Sequence, residues 1–234
     1  LKNINSILFS FNPEISISNT SSETEQKQAQ MQLGLFSQNI QEEINKNDNI
    51  NLNTKLITDS EDFTKLCENL EKQNLFALNV KANMLNAVDN EIIGISTAYK
   101  EENVIKSFYI PIKHSSITNL QDKNTVLNKL KNILESKDIH KTVYDMKNLY
   151  NIFRKENISL DGISFDVQLA SYVSNPAKKH DLDIQSIENL NHSIIQFAQP
   201  DEIKKLKLTL ENSNIDNILK SVCDETTVIY ELTN

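Results

Sequence analysis

Asn74-Leu75-Phe76-Ala77-Leu78-Asn79-Val80-Lys81-Ala82 is the stretch on which the reading of this chain turns. Large and β-branched side chains occur on both parities, the composition of a strand buried on both faces at the centre of a sheet. Two residues break that pattern. Asn79 and Lys81 are two positions apart, so they project to the same face. That face is expected to open to solvent or to a site.

On the N-terminal side, Thr54-Lys55-Leu56-Ile57 reads as an edge strand. Asp59 or Ser60 then caps a helix that places Phe63, Leu66, Cys67 and Leu70 on one face. Downstream, Ile92 to Tyr99 and Ser107 to Lys113 read as strands joined by the polar turn Lys100 to Asn103, an antiparallel meander. Asp122 or Asn124 can cap a helix whose Val126, Leu127, Leu130, Ile133 and Leu134 follow the helical period. A short strand, Lys141 to Tyr144, leads to a helix from Met146 to about Lys155, capped by Asp145, with Leu149, Ile152 and Phe153 inward. A last helix from about Asn214 carries Ile215, Ile218, Leu219, Val222, Ile229 and Leu232.

The 234 residues, 38% of them apolar, suffice for one domain of ordinary size with a tail. A formal net charge of -8 gives no broad attraction to a phosphate backbone, so any nucleic-acid contact must be local. Cys67 and Cys223 have no paired spacing and suggest neither a disulfide framework nor a zinc site. No run approaches the ~20 apolar residues of a membrane helix, and no signal segment opens the chain. A cytoplasmic setting is expected. The chain starts at Leu1 without Met and stops at Asn234 directly after a helical pattern, so it is expected to be a piece of something longer.

Residues 1–53 read as a flexible interdomain linker, because the Ser, Thr, Glu and Gln of Ser16 to Gln30 offer little apolar surface to offset ordering. Residues 54–234 form the expected domain. One apolar island, Gln32-Leu33-Gly34-Leu35-Phe36, interrupts the linker. Leu33, Leu35 and Phe36 either pack back on the domain or serve as anchors for a partner's pocket, with Gln32 fixing the register.

The longest informative run is Leu160-Asp161-Gly162-Ile163-Ser164-Phe165-Asp166-Val167-Gln168-Leu169-Ala170-Ser171-Tyr172-Val173-Ser174-Asn175-Pro176, followed by His180-Asp181-Leu182-Asp183. With Gly94-Ile95-Ser96 and Tyr109-Ile110-Pro111, it resembles the 3'-5' exonuclease domain of bacterial DNA polymerase I over about residues 54 to 234. The resemblance implies an α/β, ribonuclease-H-like fold, a mixed central β-sheet flanked by α-helices. It also implies a parent protein that is a DNA-directed DNA polymerase of replication and repair, with DNA as partner. The island at Gln32 to Phe36 resembles the peptide by which bacterial replication and repair proteins bind the sliding clamp, making Gln32, Leu33, Leu35 and Phe36 a candidate clamp-binding set.

The catalytic signature implied by the family departs at nearly every position. Its first strand carries an Asp-x-Glu pair that binds two metal ions; here the pair reads Asn79 and Lys81. Its second motif supplies a metal-binding Asp where this chain has Leu149, while the motif's lysine is kept as Lys147. Its last helix ends in a Tyr-x-x-x-Asp, which falls on Ser221 and Glu225. The domain is therefore expected to be degenerate and non-catalytic, with no metal bound, and with Glu225 an exposed helix residue. Asp166 is expected to cap a helix. His180 and His192 lack a second ligand at metal spacing, which points to surface or supporting roles.

Three functions follow. The domain is a rigid structural module that has lost its site; or an active proofreading nuclease needing Mg²⁺; or a clamp-tethering module acting through Gln32 to Phe36. Acidic residues at 79, 81 and 149 would mark the second, and none is there.

Overall fold

The stretch at residues 74–82 is a strand, β2 (Leu75–Met84), inside a six-stranded mixed sheet. The structure, a computed structural model, describes residues 52–84, 90–118 and 122–233. The other strands are β1 (Asn53–Leu56), β3 (Asn90–Glu101), β4 (Val104–Pro111), β5 (His140–Val143) and β6 (Ile163–Asp166). They pair in the order β1-β4-β3-β2-β5-β6. β2, β3 and β4 form the antiparallel meander, whereas β1, β5 and β6 join in parallel. The turn between β3 and β4 places Glu102 and Asn103 at positive φ.

Seven helices occur among the described residues: α1 (Ser60–Glu71), α2 (Lys123–Glu135), α3 (Met146–Lys155), α4 (Val167–Ser174), α5 (Leu182–Leu190), α6 (Pro200–Leu206) and α7 (Ile215–Glu231). Asp59, Asp122, Asp145 and Asn214 cap α1, α2, α3 and α7 by accepting backbone N–H groups of the first turn, which have no partner inside the helix. Asp145 does so at φ 59°, a left-handed conformation that Asp tolerates better than most residues.

The strand's period of two divides the core into layers. Phe76, Leu78 and Val80 pack with Ile92, with Phe63, Leu66 and Leu70 of α1, with Val126, Leu130 and Leu134 of α2, and with Leu149, Ile152 and Phe153 of α3. Each such side chain contributes about 1.5–3 kcal/mol by leaving water. Ala77 points the other way, to the face covered by α7. Ala98, Tyr109, Ile218, Val222, Ile229 and Tyr230 fill that second layer. Helices therefore lie on both sides of the sheet, with α7 spanning β1 to β5.

Tyr109 fits this layer because Gly94 has no side chain. A Cβ at 94 would lie 2.4 Å from the Tyr109 ring edge, closer than packed atoms approach. Gly94 is also the cross-strand partner of Lys81, so the residue that admits the tyrosine ring borders the polar positions of β2.

Candidate functional site

Asn79 and Lys81 share the parity of Ala77 and so face α7, not α1 to α3. What they meet is set by the rotation of α7 about its axis. Asn214 fixes the helix start, accepting from the N–H groups of Asp216 at 2.9 Å and Asn217 at 3.2 Å. Further along, the sheet holds the helix through hydroxyls: Ser96 with Thr226, and Ser107 Oγ donating to the Cys223 carbonyl at 3.1 Å. Thr226 and Thr227 donate in turn to the carbonyls of Val222 and Cys223, which leaves these buried hydroxyls satisfied.

So held, α7 presents Glu225 to β2. Oε2 of Glu225 accepts from the Lys81 ammonium and from the Asn79 amide, the latter at 3.2 Å. The Lys81 and Glu225 side chains are 20% and 23% exposed, which corrects the expectation of a free surface glutamate. The row continues with Asn83, whose amide donates to Glu211 in the segment before α7.

Asp183, an exposed residue in the first turn of α5, is close enough to feel these charges. Burial, then the negative charges of Glu225 and Asp181, raise its carboxyl above the ordinary value, while Lys81 pulls it down. The sequence reading gives Asp183 no role; its signal was its place closing the His180-Asp181-Leu182-Asp183 run.

These residues do not fit a divalent metal. The ammonium of Lys81 sits on the Glu225 oxygen that an ion would need, and like charges repel. Asn79 contributes an amide, a weaker donor to a hard cation than a carboxylate, and its Nδ2 points to Glu225. Leu149 is 4% exposed inside the α1–α3 core layer. Ser221, one turn before Glu225 on α7, is buried and offers a hydroxyl in place of a phenol. Among the described residues no three His, Cys, Asp or Glu side chains converge as a metal site.

The remaining candidates have structural partners. Asp166 caps α4, accepting from Gln168 N at 2.9 Å and Leu169 N at 3.2 Å, and its second oxygen accepts from Met146 N at 2.8 Å. One carboxylate thus serves the starts of α3 and α4. His180 meets Ser171 Oγ at 2.9 Å through Nδ1 and stacks edge-on with Tyr172. Lys147, Gln168, Tyr172 and His180 line a cavity of about 320 Å³ between α3 and α4. His192 is not a surface residue: it is buried, with Nε2 at 2.8 and 3.0 Å from the two oxygens of Asp224. Gln32, Leu33, Leu35 and Phe36 lie outside the described residues.

Comparison with known proteins agrees with this architecture. Residues 88–203 match the family described as DNA polymerase I, ribonuclease H-like domain. DNA polymerase I of Pseudomonas aeruginosa is 29% identical over 147 residues, 61% of this chain and 16% of that protein. DNA polymerase I of Borreliella burgdorferi is 28% identical over 192 residues, 80% of this chain and 20% of that protein. The chain therefore spans a fifth or less of these relatives. Trypanosoma brucei RNase D, solved with RNA, superposes with a TM-score of 0.55 at 10% identity, over 78% of this chain and 63% of that one; at that identity the likeness speaks to the fold alone. The six-stranded sheet, the match over residues 88–203 and the two polymerase relatives together support a ribonuclease H-like domain similar to the 3'-5' exonuclease domain of DNA polymerase I.

Proposed function

We propose that this domain is a non-nucleolytic member of its family, retained as a folded structural module within a DNA polymerase of replication and repair. The observation that carries the reading is the Lys81 ammonium on Glu225: a cation belonging to the chain stands where hydrolysis needs a metal ion. Two-metal phosphodiester hydrolysis relies on ions about 4 Å apart that generate the nucleophile and stabilise the leaving oxygen. A lone Glu225, with an amide at 79, a lysine at 81 and a leucine at 149, lacks the ligands to hold them. DNA is the partner of the parent protein in this reading, as in the Mycobacterium smegmatis polymerase solved with a DNA primer-template, whose structural likeness covers 76% of this chain at a TM-score of 0.50.

The test is degradation of an end-labelled single strand in Mg²⁺ or Mn²⁺. No 3'-directed cleavage above the metal-free control is expected. Metal-dependent cleavage that disappears in Glu225→Ala would overturn the proposal and restore the active-nuclease reading.

Tethering to a sliding clamp rests on Gln32-Leu33-Gly34-Leu35-Phe36. A peptide of Met31 to Gln38 is expected to displace a known clamp ligand, and Leu35→Ala with Phe36→Ala to abolish displacement by removing both apolar anchors. A native peptide that does not compete removes that partner.

A further inference from the structure

We propose that the cavity bounded by α4, α5 and the end of α7 is a binding site for a small organic ammonium ion, an aliphatic diamine or polyamine. The cavity shares no residue with the Lys81 and Glu225 cluster, and the inference goes beyond the structural reading above without depending on it.

The cavity measures about 400 Å³, within the range of roughly 300–1,000 Å³ usual for small-molecule sites. Three helices end at it: Ser174 and Asn175 close α4, Asn189 and Leu190 close α5, Glu231 and Leu232 close α7, and all of these residues line the cavity. A helix C-terminus carries a partial negative charge, which a lysine or arginine in the last turn commonly offsets. None of these three helices has a basic residue there. Two carboxylates in the lining, Glu188 and Glu231, add to the same field. Lys178 answers the first, 3.0 Å from Glu188 with both side chains about half exposed. Glu231 has no ion-pair partner among the described residues.

Gln185 supplies a directed acceptor. It is 5% exposed and lines the cavity. Its Nε2 donates to the His180 carbonyl at 2.9 Å, which fixes the amide's orientation, because the flipped amide would set oxygen against oxygen. Its Oε1 accepts no hydrogen bond among the described residues, so a buried acceptor is left for a donor from outside the chain. The helix ends and Glu231 require that donor to be cationic. Phe165, Val167 and Leu232 line the same cavity and favour an apolar body. An alkyl chain with primary ammonium groups meets both demands, offering N–H donors to Gln185 and Glu231 and methylenes to the apolar side chains.

The experiment titrates the whole chain with putrescine and with spermidine by isothermal calorimetry at fixed ionic strength, and follows thermal melting in parallel. Saturable binding of one amine per chain and a melting temperature several degrees higher are expected. Tetramethylammonium, which carries the charge without an N–H donor, and potassium chloride at the same ionic strength are expected to produce neither effect. Glu231→Gln is expected to weaken amine binding by about tenfold, the scale of one charge-assisted hydrogen bond, and Gln185→Met to weaken it likewise. Ser174→Lys, at the exposed last residue of α4, brings a tethered ammonium to the cavity; this variant is expected to melt higher than wild type without amine and to lose the calorimetric response. Amines that do not bind, or that bind no better than tetramethylammonium or potassium, overturn the proposal. So does amine binding that is unchanged in both Glu231→Gln and Ser174→Lys, because the amine then sits elsewhere. Gln185→Met also gives up an internal hydrogen bond, and should it fail to fold, the Glu231→Gln and Ser174→Lys arms decide alone.

Discussion

His192 Nε2 contacts both oxygens of Asp224, at 2.8 and 3.0 Å, with the two side chains 2% and 0% exposed. The pair, together with the 2.7 Å bond from Ile195 N to Asp224, ties the segment after α5 to the helix that carries Glu225. His192→Ala leaves a carboxylate buried beside a cavity, and truncating one partner of such a pair costs about 3–5 kcal/mol. Denaturant unfolding should show that loss. His192→Ala with Asp224→Ala should cost less than the sum of the single changes, because neither partner is then left alone.

Gly94→Ala is expected to destabilise the domain by about 1–3 kcal/mol, the usual range for overpacking. The new methyl would fall 2.4 Å from Cε2 and Oη of Tyr109, a ring that is fully buried and has no room to retreat. Tyr109→Leu in the Gly94→Ala background should recover part of the loss, and chemical denaturation of the wild type and the two variants measures both effects.

Asp166→Ala removes an acceptor from three backbone N–H groups, those of Met146, Gln168 and Leu169. A single lost helix cap costs about 0.5–2 kcal/mol. Two helix starts depend on this carboxylate, so the expected loss lies at the top of that range. Amide exchange should quicken at the first turns of both α3 and α4; acceleration at α4 alone would show that the bond to Met146 contributes nothing.

Lys141 on β5 is fully buried, donates to the Ser136 carbonyl at 2.7 Å, and is lowered by burial from 10.5 to about 8, with Asp161 opposing. Between about 8 and 10.5 the unfolded chain holds this proton and the folded chain does not. Stability relative to a Lys141→Met variant should therefore rise with pH across that window, by no more than about 1.4 kcal/mol per pH unit. Below it, the folded ammonium bears the full burial penalty and the difference becomes flat. Urea titrations of both proteins from neutral to alkaline pH give the slope, and a falling difference would refute the assignment.

The sheet and its principal helices are legible in the sequence because each announces itself locally. The two-sided apolar run of β2, the helical period of Val126 to Leu134 and the acidic caps at Asp59, Asp122 and Asp145 all lie within a few residues of the element they define. β6 is not legible by that route. It has four residues, Ile163–Asp166, with none fully buried, so it lacks the apolar alternation that marks a strand and is completed only by pairing with β5. α6 buries no residue and gives no apolar stripe.

The site divides in the same way. The residue types at 79, 81, 149 and 225 can be read from the chain, and Leu149 packs where its helix period puts it. That Glu225 folds inward onto Lys81 depends on contacts nearly 150 residues apart in sequence, which no local pattern encodes. His192 and Asp224 are missed for the same reason: each alone reads as a polar surface residue, and only together are they compatible with burial.

Leu149 fixes what position 149 can accept. It lies in the same packed layer as Ile152 and Phe153 of α3 and Leu66 of α1, whereas Lys81 and Glu225 meet on the α7 side of the sheet. A carboxylate at 149 would therefore be buried among hydrocarbon with no cation of this chain beside it, so adding an acid there unsettles the core without enlarging the polar cluster around Glu225.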